Sequence, residues 1–437
     1  MRARALIAAA VLAAAGCGGT PPERAVSLLV FGDPHELAAY RSLEAAYERA
    51  DPGTDVRLVE AGDRKDLITR LSTSIAGGKP PDLFLMNYRF YGQFAARDAI
   101  DPAGPLLASS RQLREQDFYP QAMAAFQFGG KQLCMPQNIS SLVVYYNRDL
   151  FRKYRVAEPG AGWTWDDMVA TATALTRDAN GDVVKGVDFD QPGAAPTGPP
   201  PVEYGLAVSP ELVRLAPFVW SNEGKVFDDA TEPSRIALDG PALEALQNFI
   251  DLRGRHGVVP TDQEAESQDD EARFAAGTLG MLMSSRRSTT TFRAIDGFDW
   301  DVAPLPVYRT PATVLHSDAY CIPRGAPNKT GAWRFVEFAL GKGGAEIMAA
   351  TGRTVPSNKA VAESPSFLDP NAKPRNAKVF LDSIPTIRAA PTLSTWPEIE
   401  DVANDILENA LYYNQPPAEV ARRLDEQTAP LFARARP

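Results

Sequence analysis

The alternation of buried-strand and amphipathic-helix patterns that begins at Val26 constrains the fold more than any other feature of the chain. Val26 to Phe31 (VSLLVF) reads as a buried strand and Glu36 to Ala50 as an amphipathic helix. Asp55 to Glu60 alternates as a second strand, and Asp66 to Ile75 is helical. The turn Gly77 to Pro81 (GGKPP) then leads into a third strand, Asp82 to Met86. Strand–helix–strand order of this kind predicts a parallel sheet with helices on its faces. Ligands of such sheets gather outside the C-terminal strand ends, here Phe31-Gly32-Asp33 and Met86-Asn87-Tyr88. With 437 residues the chain exceeds one hydrophobic core, so two lobes are expected.

The stretch from Lys131 to Met168 is the most specific. Leu142 to Tyr146 reads as a strand, and Asn147 and Asp149 suit the start of a short helix, where their oxygens accept from unpaired backbone N–H groups. Thr164 opens the next helix, Trp165 to Thr176, with Asp166 and Asp167 favourable in its positive first turn. The order G-K-x-x-x-x-P, V-x-Y-Y-N-x-D-L-F and T-W-D-D resembles the extracytoplasmic solute-binding proteins of ABC importers, in particular the branch that binds sugars and glycerophosphate compounds. GGKPPDLFLMN (77–87), PFVWSNEG (217–224), ARFAAGTLGMLM (272–283) and FDWDVAPLP (298–306) are similar to further pieces of that family, in the same order.

The resemblance implies an α/β, two-lobe periplasmic-binding-protein-like fold, each lobe a mostly parallel sheet flanked by helices. Residues 26–133 and 323–375 would form lobe 1, and 136–318 and 376–437 lobe 2, with 134–135 and 319–322 as crossing hinge strands. It implies a monomeric binder rather than an enzyme, without a cofactor, whose partners are a small-molecule ligand and ABC permease subunits. Cys134 and Cys321 then fall on neighbouring crossing strands, where a disulfide is geometrically plausible in an oxidising compartment. Two buried thiols acting as small apolar residues are the alternative.

The N-terminus points the same way. Arg2 and Arg4 precede an apolar run, Ala5 to Ala15, that is too short to span a membrane and fits an export signal. Ala14-Ala15-Gly16-Cys17 resembles a bacterial lipobox. Residues 1–16 would then be removed, Cys17 lipidated as the membrane anchor, and residues 17–25 left as a flexible tether. Ordinary signal-peptidase cleavage, leaving a soluble protein, is the alternative.

Other classes find little support. A net charge of −10 with no basic block argues against nucleic acid as a partner. His35, His256 and His316 lack metal-ligand spacing, and there is no G-x-S-x-G elbow. Asp178-x-Asn180-x-Asp182 opens like a calcium loop, but Val183 and Phe189 stand where glycine and glutamate are needed, which favours an Asx turn. The acidic run 262–271 reads as a solvated loop and helix start, and 191–201 (QPGAAPTGPPP) as an exposed loop. His316 stands just before the returning strand near Asp318, where facing the cleft and a buried hinge role are both open.

A sugar needs carboxylate, amide or guanidinium partners for its hydroxyls and a flat aromatic for its C–H faces. The resemblance points to Asp33, Asn87 and Tyr88 from the first lobe, and Asn138, Trp220 and Asn222 from the second. Ser284, Ser285, Arg286, Arg353 and Trp396 complete the candidate set. Core packing is the alternative for the two tryptophans, turn formation for Asn138, and a surface ion pair for Arg353. A sugar or oligosaccharide is the first reading. P-x-N-x-S-x-x-V-x-Y-Y-N from Pro136 to Asn147 is also similar to glycerol-3-phosphate and glycerophosphodiester binders, with Arg286 or Arg353 to meet a phosphate. A sensor lipoprotein reporting to a membrane receptor would need the same ligand-closed form.

Overall fold

A computed structural model of the chain describes residues 25–184 and 199–435. The export signal, Cys17 and nearly all of the tether lie outside the described residues, as do 191–198 of the Pro-rich loop. The first lobe opens with β1 (Val26–Phe31), α1 (Pro34–Ala50), β2 (Val56–Ala61), α2 (Arg64–Ala76), β3 (Leu83–Asn87), α3 (Tyr88–Ala95), β4 (Ile100–Asp101) and β5 (Met135–Pro136). The second holds β6 (Leu142–Asn147), α4 (Arg148–Tyr154), α5 (Trp165–Leu175), β7 (Arg177–Asp178), β8 (Pro201–Ala207), α6 (Leu212–Ser221), α7 (Pro241–Gly254), α8 (Asp270–Ala275), β9 (Leu279–Ser285) and β10 (Trp300–Ala303). The chain returns through β11 (Thr313–Val314) and β12 (Asp318–Pro323) to α9 (Lys329–Leu340) and α10 (Lys342–Ala350). It ends with β13 (Ile387–Arg388), α11 (Trp396–Tyr412) and α12 (Pro417–Arg434).

Two sheets carry the lobes, ordered β2-β1-β3-β12-β4 (with β5 also on β12) and β10-β6-β9-β8-β7. The period of two in VSLLVF sorts its side chains onto two faces. Leu28 and Val30 join a core with Tyr40, Leu43 and Tyr47 of α1 and Phe335 and Val336 of α9, while Leu29 packs into the core that holds Leu67, Leu71 and Phe84. In the second sheet Gly205 is required by close packing: a Cβ there would stand 1.9 Å from the carbonyl oxygen of Ala172 on α5. The capping expected after β6 is present, because Asn147 Oδ1 accepts from the amides of Asp149 and Leu150. Thr164 and Asp167 form a reciprocal capping box.

The two-lobe α/β architecture holds, but the pairing within it corrects the expectation of mostly parallel sheets. Only β1–β2, β1–β3 and β8–β9 are parallel in the two large sheets; β12 runs against β3, and β6 against β9 and β10. The reason is where the chain crosses. β12 enters with Asp318 opposite Asn87, the last residue of β3, and β6 enters with Leu142 opposite Ser285, the last residue of β9. A strand arriving from the other lobe comes in at the C-terminal rim and must run backwards along it.

Residues 319–322, expected as a hinge strand, pair inside the first sheet with β3, β4 and β5. Backbone pairing between the crossing segments falls closer to the cleft: Ser140 and His316 exchange two hydrogen bonds (2.8 and 2.9 Å), and Ile139 donates to Val355 (2.9 Å). Cys134 and Cys321 are joined by a disulfide, Cα–Cα 4.5 Å. Asp178 Oδ1 accepts from the amides of Asn180 and Asp182, an Asx turn. Pro201, read as loop, opens β8, a position where its missing N–H is tolerated. The sequence also reads as a C-terminal helix from Val402 to Tyr412; in the structure α11 starts at Trp396, and α12 follows it.

Candidate ligand-binding cleft

The cleft floor follows from the two entry points. Asp318, at the head of β12, sits between two amides: Asn87 Nδ2 donates to one carboxylate oxygen and Asn138 Nδ2 to the other, each at 3.1 Å. Asn138 Oδ1 in turn accepts from the Asp318 N–H (3.0 Å). Asn87 caps α3, its Oδ1 accepting from the Arg89 amide. Two candidate amides therefore orient one carboxylate on the interlobe rim. Each of its oxygens keeps acceptor capacity for a further donor.

Beside it lies a tight charge cluster. Asp33 caps α1 by accepting from the amides of His35 and Glu36 (both 3.0 Å). The Arg353 guanidinium pairs with Asp33 and with Glu36, the latter at 2.5 Å. Arg353 and Glu36 side chains are only 10% and 12% exposed. One guanidinium thus serves two carboxylates with Asp318 nearby, and the most buried of them yields. Burial, opposed by Arg353, pushes Glu36 up to about 7. Asp33 is held below its usual range by its amide donors and Arg353, which outweigh its partial burial.

A second cluster is rich in arginine. Arg64 follows β2, Arg89 follows β3, Arg214 lies in the first turn of the helix after β8, and Arg287 follows β9. Arg89 is buried and paired with the buried Glu400 of α11. Arg214 pairs with Glu211 (3.2 Å) and brings Nη1 to 3.5 Å from His316 Nε2. Arg287, 61% exposed, pairs with Glu271 (3.2 Å). Arg64 is exposed and has no ion pair among the described residues; its guanidinium lies 4.6 Å from the Phe90 ring centre, with Arg89 at 5.3 Å from the same ring. Protein crowds Arg64 without covering it, as a cleft wall does, and that crowding with Arg89 nearby lowers its pKa. His316 is driven well below its usual value by burial and by Arg214, Arg89, Arg287 and Arg64, so its imidazole is neutral.

The remaining candidates sit elsewhere. Tyr88 is fully buried, its hydroxyl accepting from the Ala390 amide (3.1 Å). Trp396 is fully buried against Phe227, and Trp220 is 7% exposed with Arg388 over its ring at 5.8 Å. Asn222 is buried as well, bonding Pro241, Glu244 and Arg309 within the second lobe. Ser284 bonds Ser288 (2.6 Å), and the Ser285 carbonyl accepts from Tyr145 (2.9 Å). Arg286 is 1% exposed between the Phe367 and Phe380 rings and donates to the Gly352 carbonyl (2.7 Å). Burial lowers its pKa to about 9. The structure thus gathers Asp33, Asn87, Asn138 and Arg353 at the rim and holds the others in packing or internal bonds.

Sequence reasoning missed Glu36, Arg64, Arg89, Glu211, Arg214, Arg287, Asp318 and Glu400. A signal for several existed, because the strand-end rule, applied to β1 and β3, also applies to β2, β8 and β9. Among the described residues no group of three His, Cys, Asp or Glu is placed to hold a metal ion, and no helix is long and apolar enough to cross a membrane.

Residues 43–374 match the bacterial extracellular solute-binding protein family, and the chain belongs to it. It is accordingly an extracytoplasmic binding protein rather than an enzyme. A binding protein of Brucella abortus (strain 2308) is 22% identical over 377 residues, 85% of this chain and 84% of its own. An ABC substrate-binding protein of Listeria monocytogenes, solved with cycloalternan, superposes with a TM-score of 0.81 at 22% identity, covering 94% of this chain and 99% of that one. The sugar-binding protein MalE of Xanthomonas citri gives 0.76 at 19% identity, covering 94% and 97%.

Proposed function

We propose that this protein is the lipid-anchored receptor of an ABC importer, tethered through Cys17, and captures a sugar or oligosaccharide between its lobes for delivery to membrane permease subunits. The observation that carries the sugar reading is Asp318. Its carboxylate is fixed by two amides at the interlobe rim, with acceptor sites left for hydroxyl groups. The sugar complexes of similarly folded proteins support it. Ligand contacting both lobes stabilises the closed form by its higher affinity for that state.

Glycerol-3-phosphate or a glycerophosphodiester was the second reading from the sequence. The arginines it relied on, Arg286 and Arg353, are bonded to Gly352 and to Asp33 and Glu36. A phosphate would have to be met by other residues.

Thermal unfolding of the purified protein against a panel of sugars, oligosaccharides and glycerophosphate compounds tests this reading. A ligand at a hundred times its Kd adds about 2.7 kcal/mol. A rise in midpoint with a sugar, abolished in Asp318→Ala, is expected; a panel without any sugar response sinks the sugar assignment.

A further inference from the structure

We propose that the cleft contains an anion subsite formed by Arg64, Arg214 and His316, with Arg287 at its edge, and that the captured sugar-class ligand is acidic, carrying a carboxylate or a phosphate. This rests on reading the cleft as the ligand site. One guanidinium here lacks an ion-pair partner among the described residues. Arg89 has Glu400, and Arg214 has Glu211. Arg64, at the start of α2, has no ion pair among the described residues and lies against the Phe90 ring. Its charged neighbours come from both lobes: Arg89 and Asp318 on one side, Glu211 and Glu400 on the other. Lobe closure would therefore take it out of water.

An unpaired guanidinium removed from water is expensive, and a neutral ligand cannot compensate it. A carboxylate or phosphate accepts two of its N–H groups side by side and cancels the charge. The placement of the arginines agrees: Arg64, Arg89 and Arg287 closely follow the C-terminal ends of β2, β3 and β9, Arg214 lies in the helix after β8, and all four act on His316. At His316 the largest charges acting on the ring are those of arginines, Arg214 first. A neutral imidazole whose Nε2 accepts from Arg214 carries its proton on Nδ1. Asp318 acts on Arg64 through space, but the two form no ion pair in this structure, where its oxygens accept from Asn87 and Asn138.

The test uses purified wild-type protein, Arg64→Ala, and Arg41→Ala as a control for losing one exposed arginine. Each is titrated with glucose, glucuronate and glucose 6-phosphate. Each is also heated in inorganic phosphate and in chloride at equal ionic strength. The expected result is at least tenfold tighter binding of one acidic sugar than of glucose, and phosphate-specific stabilisation, both lost in Arg64→Ala and kept in Arg41→Ala. The glucuronate and glucose 6-phosphate arms tell carboxylate from phosphate. Inorganic phosphate without effect on the wild type overturns the subsite, whatever the sugars do. Phosphate stabilisation through Arg64 with no sugar bound in any arm keeps the subsite and removes the sugar reading instead. Equal affinity for glucose and both acids also overturns the proposal, with Arg64 then pairing Asp318 on closure.

Discussion

Arg353, paired with Asp33 after β1, and Arg64, after the neighbouring β2, have opposite surroundings. Arg353 is nine-tenths buried and grips two carboxylates, while Arg64 is exposed, unpaired and laid along one phenyl ring. The first arginine is fully used inside the protein, and its loss would leave buried charge without a partner. The second holds its donors open and costs the apo protein little. Residue type alone does not separate a structural arginine from a binding one; the count of acceptors already around it does.

The contrast breaks most readily at Arg353. Arg353→Met should lower stability by about 3–5 kcal/mol at pH 8, since Asp33 and Glu36 lose their common counter-ion. The loss should shrink near pH 5, where Glu36 takes up a proton. Thermal unfolding at both pH values checks this, and an unchanged midpoint at pH 8 would show that the cluster is not structural. The next effect comes from the Cys134–Cys321 bridge, which spans 187 positions on the same lobe. Cys134→Ser should cost roughly 3 kcal/mol through the freer unfolded chain. Ligand affinity should stay the same, because neither cysteine touches the rim.

Glu36 gives a pH-dependent effect of similar size. Its folded pKa, about 7, lies above the unfolded value near 4.5. Between these values the folded chain holds a proton that the unfolded chain has released, so stability falls as pH rises through this window and then levels off. The drift should be roughly 3 kcal/mol across this window. Glu36→Gln should flatten it, and midpoints measured from pH 4.5 to 7.5 decide: parallel curves for wild type and variant would remove Glu36 as the titrating group.

What was legible in the sequence divides along the same line, between local and long-range causes. β1 and the helix starts at Asn147 and Thr164 depend on neighbours in sequence, and hydrophobic period and capping residues define them. The direction of β6 and β12 depends on which lobe the chain arrives from, which no local pattern encodes. Arg353 finds Asp33 320 positions away, so its pairing could not be read from either segment. Trp396 was readable. With the helix begun at Val402 it looked like a free loop aromatic, yet Trp396, Ile399, Ala403, Ile406 and Ala410 form one apolar stripe once α11 starts six residues earlier, and every one of them is buried. Its neighbour Pro397 fits the first turn, where the lost N–H has no partner to lose.

The smallest stability effect is the sharpest test of the comparison. Arg64→Ala removes an exposed side chain that has no ion pair, so unfolding of the apo protein should change by less than about 0.5 kcal/mol. Arg353→Met, which removes the common counter-ion of Asp33 and Glu36, should have no such neutrality. A double variant should show nearly additive losses, because Arg353's ion-pair partners, Asp33 and Glu36, make no ion pair with Arg64. Strong coupling between them in the apo protein would mean that Arg64 already shares the Asp33–Glu36–Asp318 charge. The distinction between a used and an open arginine would then fail at its root.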